Sequence, residues 1–154
     1  MRTAAKAKRS TVTSHHEVAG FFRRLAVMFY DSLLLFSILF VATLIILPLT
    51  SGRAIPPHQP FYTAYLLLLS FLYFGWFWTH HGQTLGMRAW HVRIEQYNGA
   101  PVTWRLALLR FCAAILSWLP LGLGYLWMLV DRKRLTWHDR LSATLLVVAH
   151  EAVV

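Results

Sequence analysis

The sequence predicts an α-helical integral membrane protein with two full transmembrane helices, a third apolar segment broken by proline and glycine, and a small cytoplasmic β-hairpin. Three observations lead there. Of 154 residues, 57% are apolar and only 14% charged, a balance from which a water-facing globular surface is not built. Two runs are long and apolar enough to cross a bilayer. The basic residues, with a formal net charge of +9, flank those runs instead of lining one face of a soluble element. That is the arrangement of a chain held against an anionic leaflet, and it speaks against a nucleic-acid partner.

Residues 1–19 are basic and polar without apolar periodicity, which predicts a disordered cytoplasmic tail, with the folded domain over 20–149. The basic start leads into a polar Ser/Thr/His stretch, and the apolar run after it is too long for a cleavable signal, so that run is expected to remain as an anchor.

From Leu25 to Leu49 the chain is almost wholly apolar, and about 20 such residues suffice to span the hydrocarbon as a helix. Pro48 and Ser51-Gly52-Arg53 end it, and the proline-rich stretch around Pro56 and Pro60 makes a stiff connection. Phe61 to Trp78 carries no charge and ends in a cluster of aromatic rings suited to a headgroup boundary.

Between His80 and Trp104 the texture changes. Trp90 to Glu95 alternates as a strand does, and Asn98-Gly99 signals a turn before Ala100 to Trp104, which predicts the hairpin. The run Ala143 to Val148 is too short to span and is expected to add a third strand. Phe111 to Val130 is again uncharged, but Pro120, Gly122 and Gly124 interrupt it. A kinked single span and a helical hairpin both fit residues 106–130. The bias of positive charge toward the tail and the His80–Arg105 loop favours the hairpin, with both termini cytoplasmic.

Charged residues inside apolar runs are the candidate functional positions. Asp31 lies six residues into the first run, roughly 9 Å along a helix, where an ionised carboxylate must be protonated, paired or hydrated. Arg24 falls on the same helix face but about 10 Å away, too far to pair with it. It is expected to anchor to phosphates or to reach another acid on the cytoplasmic side. Arg110, a few residues into the third apolar segment, is the expected partner of Asp31, as a structural clamp or as the counter-ion of an ion-coupling site. Asp139 reads as a helix or turn cap, with Arg24 or Arg140 as charge partner.

Other features carry less. Cys112 is the only cysteine, so neither an intrachain disulfide nor a thiolate cluster can form. Adjacent histidines at His15-His16 and His80-His81 point in different directions and lack an acidic companion, so no metal is expected. Gly82 to Arg88 lacks the lysine and spacing of a phosphate loop and reads as a tight turn leaving the membrane. With no nucleophile beside a positioned base and no cofactor motif, no enzyme is expected.

Four ordered motifs, Arg24-Leu25-Ala26-Val27-Met28-Phe29-Tyr30-Asp31, Gly82-Gln83-Thr84-Leu85-Gly86, Leu108-Leu109-Arg110 and Thr136-Trp137-His138-Asp139-Arg140-Leu141-Ser142-Ala143-Thr144, together resemble the RDD family of bacterial membrane proteins. The likeness runs from about Phe21 to Val148. The arginine and two aspartates of the family's name map onto Arg24, Asp31 and Asp139. Ala143 stands where the family often has glycine, and Met87 where it often has lysine. The resemblance implies a multi-pass protein of the bacterial inner membrane. Transport of an unidentified ligand is the usual suggestion for the family, and sodium/proton exchange has been proposed for some members. Two functions therefore compete. One is transport of an ion or small ligand through Asp31, for which so small a chain would have to form a homo-oligomer. The other is a non-catalytic scaffold or lipid- and partner-binding module on an anionic bilayer.

Overall fold

A computed structural model describes residues 17–50, 56, 59–120, 122–132 and 135–149. The first helix, α1 (Phe21–Ile46), runs unbroken through the apolar run and ends in a 3-10 turn at Leu47–Thr50. The second, α2 (Pro60–His80), opens with proline at its first position, where the missing N–H would lack an intrahelical partner anyway. Both are long and apolar enough to cross a membrane. Most of their large side chains stay exposed, Phe36, Ile45 and Phe61 among them, which for rings and aliphatics of this size calls for an apolar surrounding.

The buried face of α1 is narrow: Arg24, Val27 and Asp31 recur at helical spacing near its start. That end of the helix is where the rest of the fold collects. A short α3 (Leu85–Ala89), strand β1 (Val92–Gln96), the start of α4 (Trp104–Trp118), a short α6 (Trp137–Leu141) and strand β2 (Thr144–Val148) pack there. Between α4 and α6 lies α5 (Leu123–Leu126), continued by a 3-10 turn at Trp127–Leu129. Ala19, Val27, Trp78, Met87, Val92, Ile94, Val102, Ala107 and Leu146 form the core, with Phe74, Leu106 and Phe111 against it. Burying each large aliphatic or aromatic side chain contributes about 1.5–3 kcal/mol.

The sheet differs from the expected hairpin. β1 pairs antiparallel with β2, Val92 opposite Val148 and Gln96 opposite Thr144, and Ala100 to Trp104 forms no strand. The Asn98-Gly99 turn is present: the Gln96 amide donates to the Ala100 carbonyl, and the Asn98 side chain accepts from the Ala100 amide. Pro101 then offers no N–H to continue a ladder, Val102 turns into the core, and helix α4 begins two residues on. β2 has a neighbour on its other edge. Val18 bridges Val147, the Ala19 amide donates to the Leu146 carbonyl, and the Val148 amide donates to the Glu17 carbonyl. Residues 17–19, assigned to the tail by composition, thus belong to the folded unit. The remainder of that expected disordered tail lies outside the described residues.

The third apolar segment bends by 107° between α4 and Leu123–Leu129. Gly122 sits there at φ +78°, a left-handed conformation that side chains resist. Gly124 lies so close to Ser117 that a methyl group on it would stand 2.5 Å from the Ser117 Cβ. The chain comes back far enough for Asp139 to touch Arg110 near the start of α4. The chain therefore doubles back after the bend.

Candidate functional site

Asp139 is fully buried and receives two guanidinium groups from two different apolar helices. Arg24 Nη1 of α1 lies 2.6 Å from Oδ2, and Arg110 Nη1 of α4 lies 2.6 Å from Oδ1. Local sequence places the acid: Thr136 caps α6, its Oγ1 accepting from the Asp139 amide at 3.3 Å, while Oδ2 accepts from the Thr136 amide at 3.3 Å. This reciprocal capping box holds the Asp139 side chain against the start of α6. The expected cap and the Arg24 partnership are both present. Arg140 instead pairs with Asp131.

The surroundings hold the arginines as tightly as the acid does. Arg24 Nε donates to the Ala19 carbonyl at 3.0 Å, tying the 17–19 edge segment to the cluster. Arg110 also donates to Thr144 Oγ1 at 2.7 Å, and its Cζ stands 5.6 Å from the centre of the Trp78 ring, within cation–π range. Thr144 exchanges a bond with Ser142, whose hydroxyl donates to the His138 carbonyl. α1 and α4 meet on the carboxylate of α6, and α2 and β2 join the cluster through Arg110.

Asp31 forms a separate site, and the expected Asp31–Arg110 pair is not made. Thr84 Oγ1 donates to Oδ2 at 2.5 Å, the Gly86 amide to Oδ1 at 3.0 Å, and the Tyr73 hydroxyl lies 3.5 Å from Oδ1. Among the described residues no cation comes within ion-pair distance. The stretch Gly82 to Arg88, expected to be a tight turn throughout, turns only at its start, where Gly82 takes φ +63°, and from Leu85 on it is the short helix α3 laid onto α1. Thr84 caps α3 by accepting from the Met87 amide at 3.1 Å, so Asp31 stands at a helix start, where backbone N–H groups favour an anion. Arg110 prefers Asp139 because the bend after α4 brings α6, not α1, alongside the second turn of α4.

Sequence reasoning missed Thr84 and Thr144 as members of these sites, and it missed Arg110 as the second partner of Asp139. One signal was available: if the third segment doubles back, Asp139 returns to the depth of Arg110. Among the described residues no three His, Cys, Asp or Glu side chains gather as metal ligands would. His80 stacks on Trp76, and the His15-His16 pair lies outside the described residues.

The sequence model of the RDD family matches residues 18–143. The chain belongs to the RDD family. A comparison with curated proteins and one with solved structures each found no match. Arg24 and Asp139 are thus two members of one buried ion cluster, while Asp31 holds the Gly82–Gly86 loop on α1.

Burial alone would raise the Asp139 carboxyl, but the guanidinium groups of Arg110 and Arg24 outweigh it and hold it well below the usual carboxylate range. Burial, reinforced by Arg110, pushes the His138 imidazole down to about 3, so it stays neutral while 3.8 Å from Asp139. The signs agree: between pH ~6.5 and 3 the unfolded chain binds a proton at His138 that the folded chain refuses, so stability falls as pH falls. At about 1.4 kcal/mol per unit, the loss is on the order of 4–5 kcal/mol across that window. The unfolding midpoint in detergent should therefore drop steeply from pH 6 to pH 4, and His138→Gln should flatten the slope. A slope identical in the variant would remove His138 as its source.

Proposed function

We propose that this chain is a multi-pass protein of the bacterial inner membrane that works as a non-catalytic scaffold or lipid-binding module, with both ends of its ordered domain cytoplasmic. The observation that carries the reading is Asp139, fully buried and shared by Arg24 and Arg110. Both arginines are engaged in closing one end of the helical domain, and Asp31 is engaged in docking α3. Charges arranged in this way hold elements together. The exposed basic residues Arg23, Arg105 and Arg132 leave that end suited to anionic headgroups.

One observation favours a second reading, transport of an ion or small ligand. The partners of Asp31 are neutral donors, and a carboxylate without a fixed counter-ion in an apolar helix is free to exchange a proton or a cation. Ion flux into proteoliposomes, measured for wild type and Asp31→Asn with thermal stability on the same samples, separates the two. The scaffold reading expects no flux in either and a variant destabilised by about 1–3 kcal/mol as α3 loosens. Wild-type flux that vanishes in a variant of unchanged stability would establish transport instead.

A further inference from the structure

Where α2 ends and α4 begins, three exposed rings are held in place without taking part in either ion site. Trp104, the first residue of α4, lies so close to Gly75 of α2 that a methyl group on that glycine would stand 2.7 Å from its ring, and Phe71 meets the ring edge-on at 6.0 Å. Further along α2, His80 stacks on Trp76 at 4.0 Å and meets Trp104 edge-on at 6.2 Å. The His80 Nδ1 lies 3.1 Å from the Trp76 carbonyl oxygen, which ties that ring to its own helix. Even so, Trp76 is 54% and Trp104 41% exposed. Rings from two helices thus stand ordered side by side before anything binds them.

Polarity changes across this patch. Leu72 and Leu68 precede Trp76 by four and eight residues on the same face of α2, and both are exposed. Arg105, bonded to Trp104 in the chain, is exposed and forms no ion pair among the described residues. Neither α2 nor α4 contains an Asp or Glu, and Arg110, the other arginine of α4, is engaged by Asp139. The two helices therefore present one exposed arginine, no carboxylate, a pair of indoles, and an apolar track leading away from them.

We propose that Trp76, His80, Trp104 and Arg105 form the headgroup site of an anionic phospholipid whose acyl chains lie over Leu72 and Leu68. Arg105 pairs with the phosphate. The indoles hold the glycerol level, where a ring with one polar edge suits the boundary between water and hydrocarbon, and the leucines continue the apolar surface that α2 offers the bilayer. A lipid is favoured over a soluble anion because arginine, rings and leucines follow one another without a gap. The inference rests on the membrane-module reading and names the lipid class and the place where it binds.

The test compares wild type, Arg105→Gln and Arg88→Gln in phosphatidylcholine nanodiscs with and without phosphatidylglycerol, with thermal midpoints as the readout. Arg88, exposed on α3, supplies the same change of charge off α2 and α4. Phosphatidylglycerol should raise the wild-type midpoint by a few degrees. Arg105→Gln should lose most of that rise, as for a roughly five-fold weaker site, while Arg88→Gln keeps it. No rise, or the same rise in all three proteins, overturns the site. So does an equal rise when inorganic phosphate is added to protein in detergent at constant ionic strength, which assigns a free anion. A second measurement is independent of stability: phosphatidylglycerol brominated on its acyl chains should quench tryptophan fluorescence more than brominated phosphatidylcholine at the same mole fraction. The excess should disappear when Trp76→Phe and Trp104→Phe are combined. Equal quenching by the two lipids, or an excess that survives both substitutions, overturns the site even where Arg105→Gln does not fold. Protein that inserts yet shows neither effect sinks this site and leaves the membrane reading standing, whereas failure to insert sinks that reading itself.

Discussion

Asp139→Asn is expected to destabilise the protein by about 3–5 kcal/mol, the size of effect seen when one member of a buried ion cluster is removed and its partner charge stays behind. Here two partners stay behind, Arg24 and Arg110, each more than nine-tenths buried. Asparagine retains one acceptor and the local cap to Thr136, so the loss measures the charge and not the turn. Unfolding of the purified variant in mild micelles, by heat or by denaturing detergent, checks it. A loss below about 1 kcal/mol would reduce the cluster to the value of a surface pair.

Gly86→Ala is the second large effect. A methyl group on Gly86 would stand 2.8 Å from Asp31 Oδ1 and 2.9 Å from the Val27 carbonyl oxygen, both fixed by α1, so α3 must move away. That adds the strain of overpacking, typically 1–3 kcal/mol, to the loss of the hydrogen bond from the Gly86 amide to a carboxylate, roughly 1.5–3 kcal/mol. A total of roughly 3–6 kcal/mol is expected. It should fall sharply in the Asp31→Ala background, where the carboxylate is gone and only the Val27 carbonyl still crowds the methyl group. An equal loss in both backgrounds would mean that α3 is held by something other than Asp31.

The parts of this fold that follow from composition and period were legible in the sequence. The two apolar helices needed only length and hydropathy. The cap at Asp139 needed only a threonine three residues before an acid. Asp31 stood out because a carboxylate in an apolar run must be accommodated. What was not legible depended on where the chain turns. Asn98-Gly99 is a strong hairpin signal and the turn forms, yet Pro101 denies the returning strand its donor, and the Thr144–Val148 run takes its place. Arg110 was assigned to the wrong acid because sequence spacing gives the depth of a residue in its own helix and says nothing of which helix lies beside it. That was decided by the bend around Gly122. Thr84 was invisible for the same reason: a hydroxyl in a loop becomes the partner of Asp31 only when α3 folds back onto α1.

The central claim is that Asp139 holds α1 and α4 together through Arg24 and Arg110, and a double-mutant cycle on Arg110→Gln and Asp139→Asn tests it most directly. If the clamp is as described, the two losses do not add: once Asp139 is neutral, removing Arg110 relieves a stranded charge, and the coupling energy should be at least about 2 kcal/mol. Additive losses, with coupling below roughly 0.5 kcal/mol, would contradict it, because two residues that stabilise the fold independently are not a clamp.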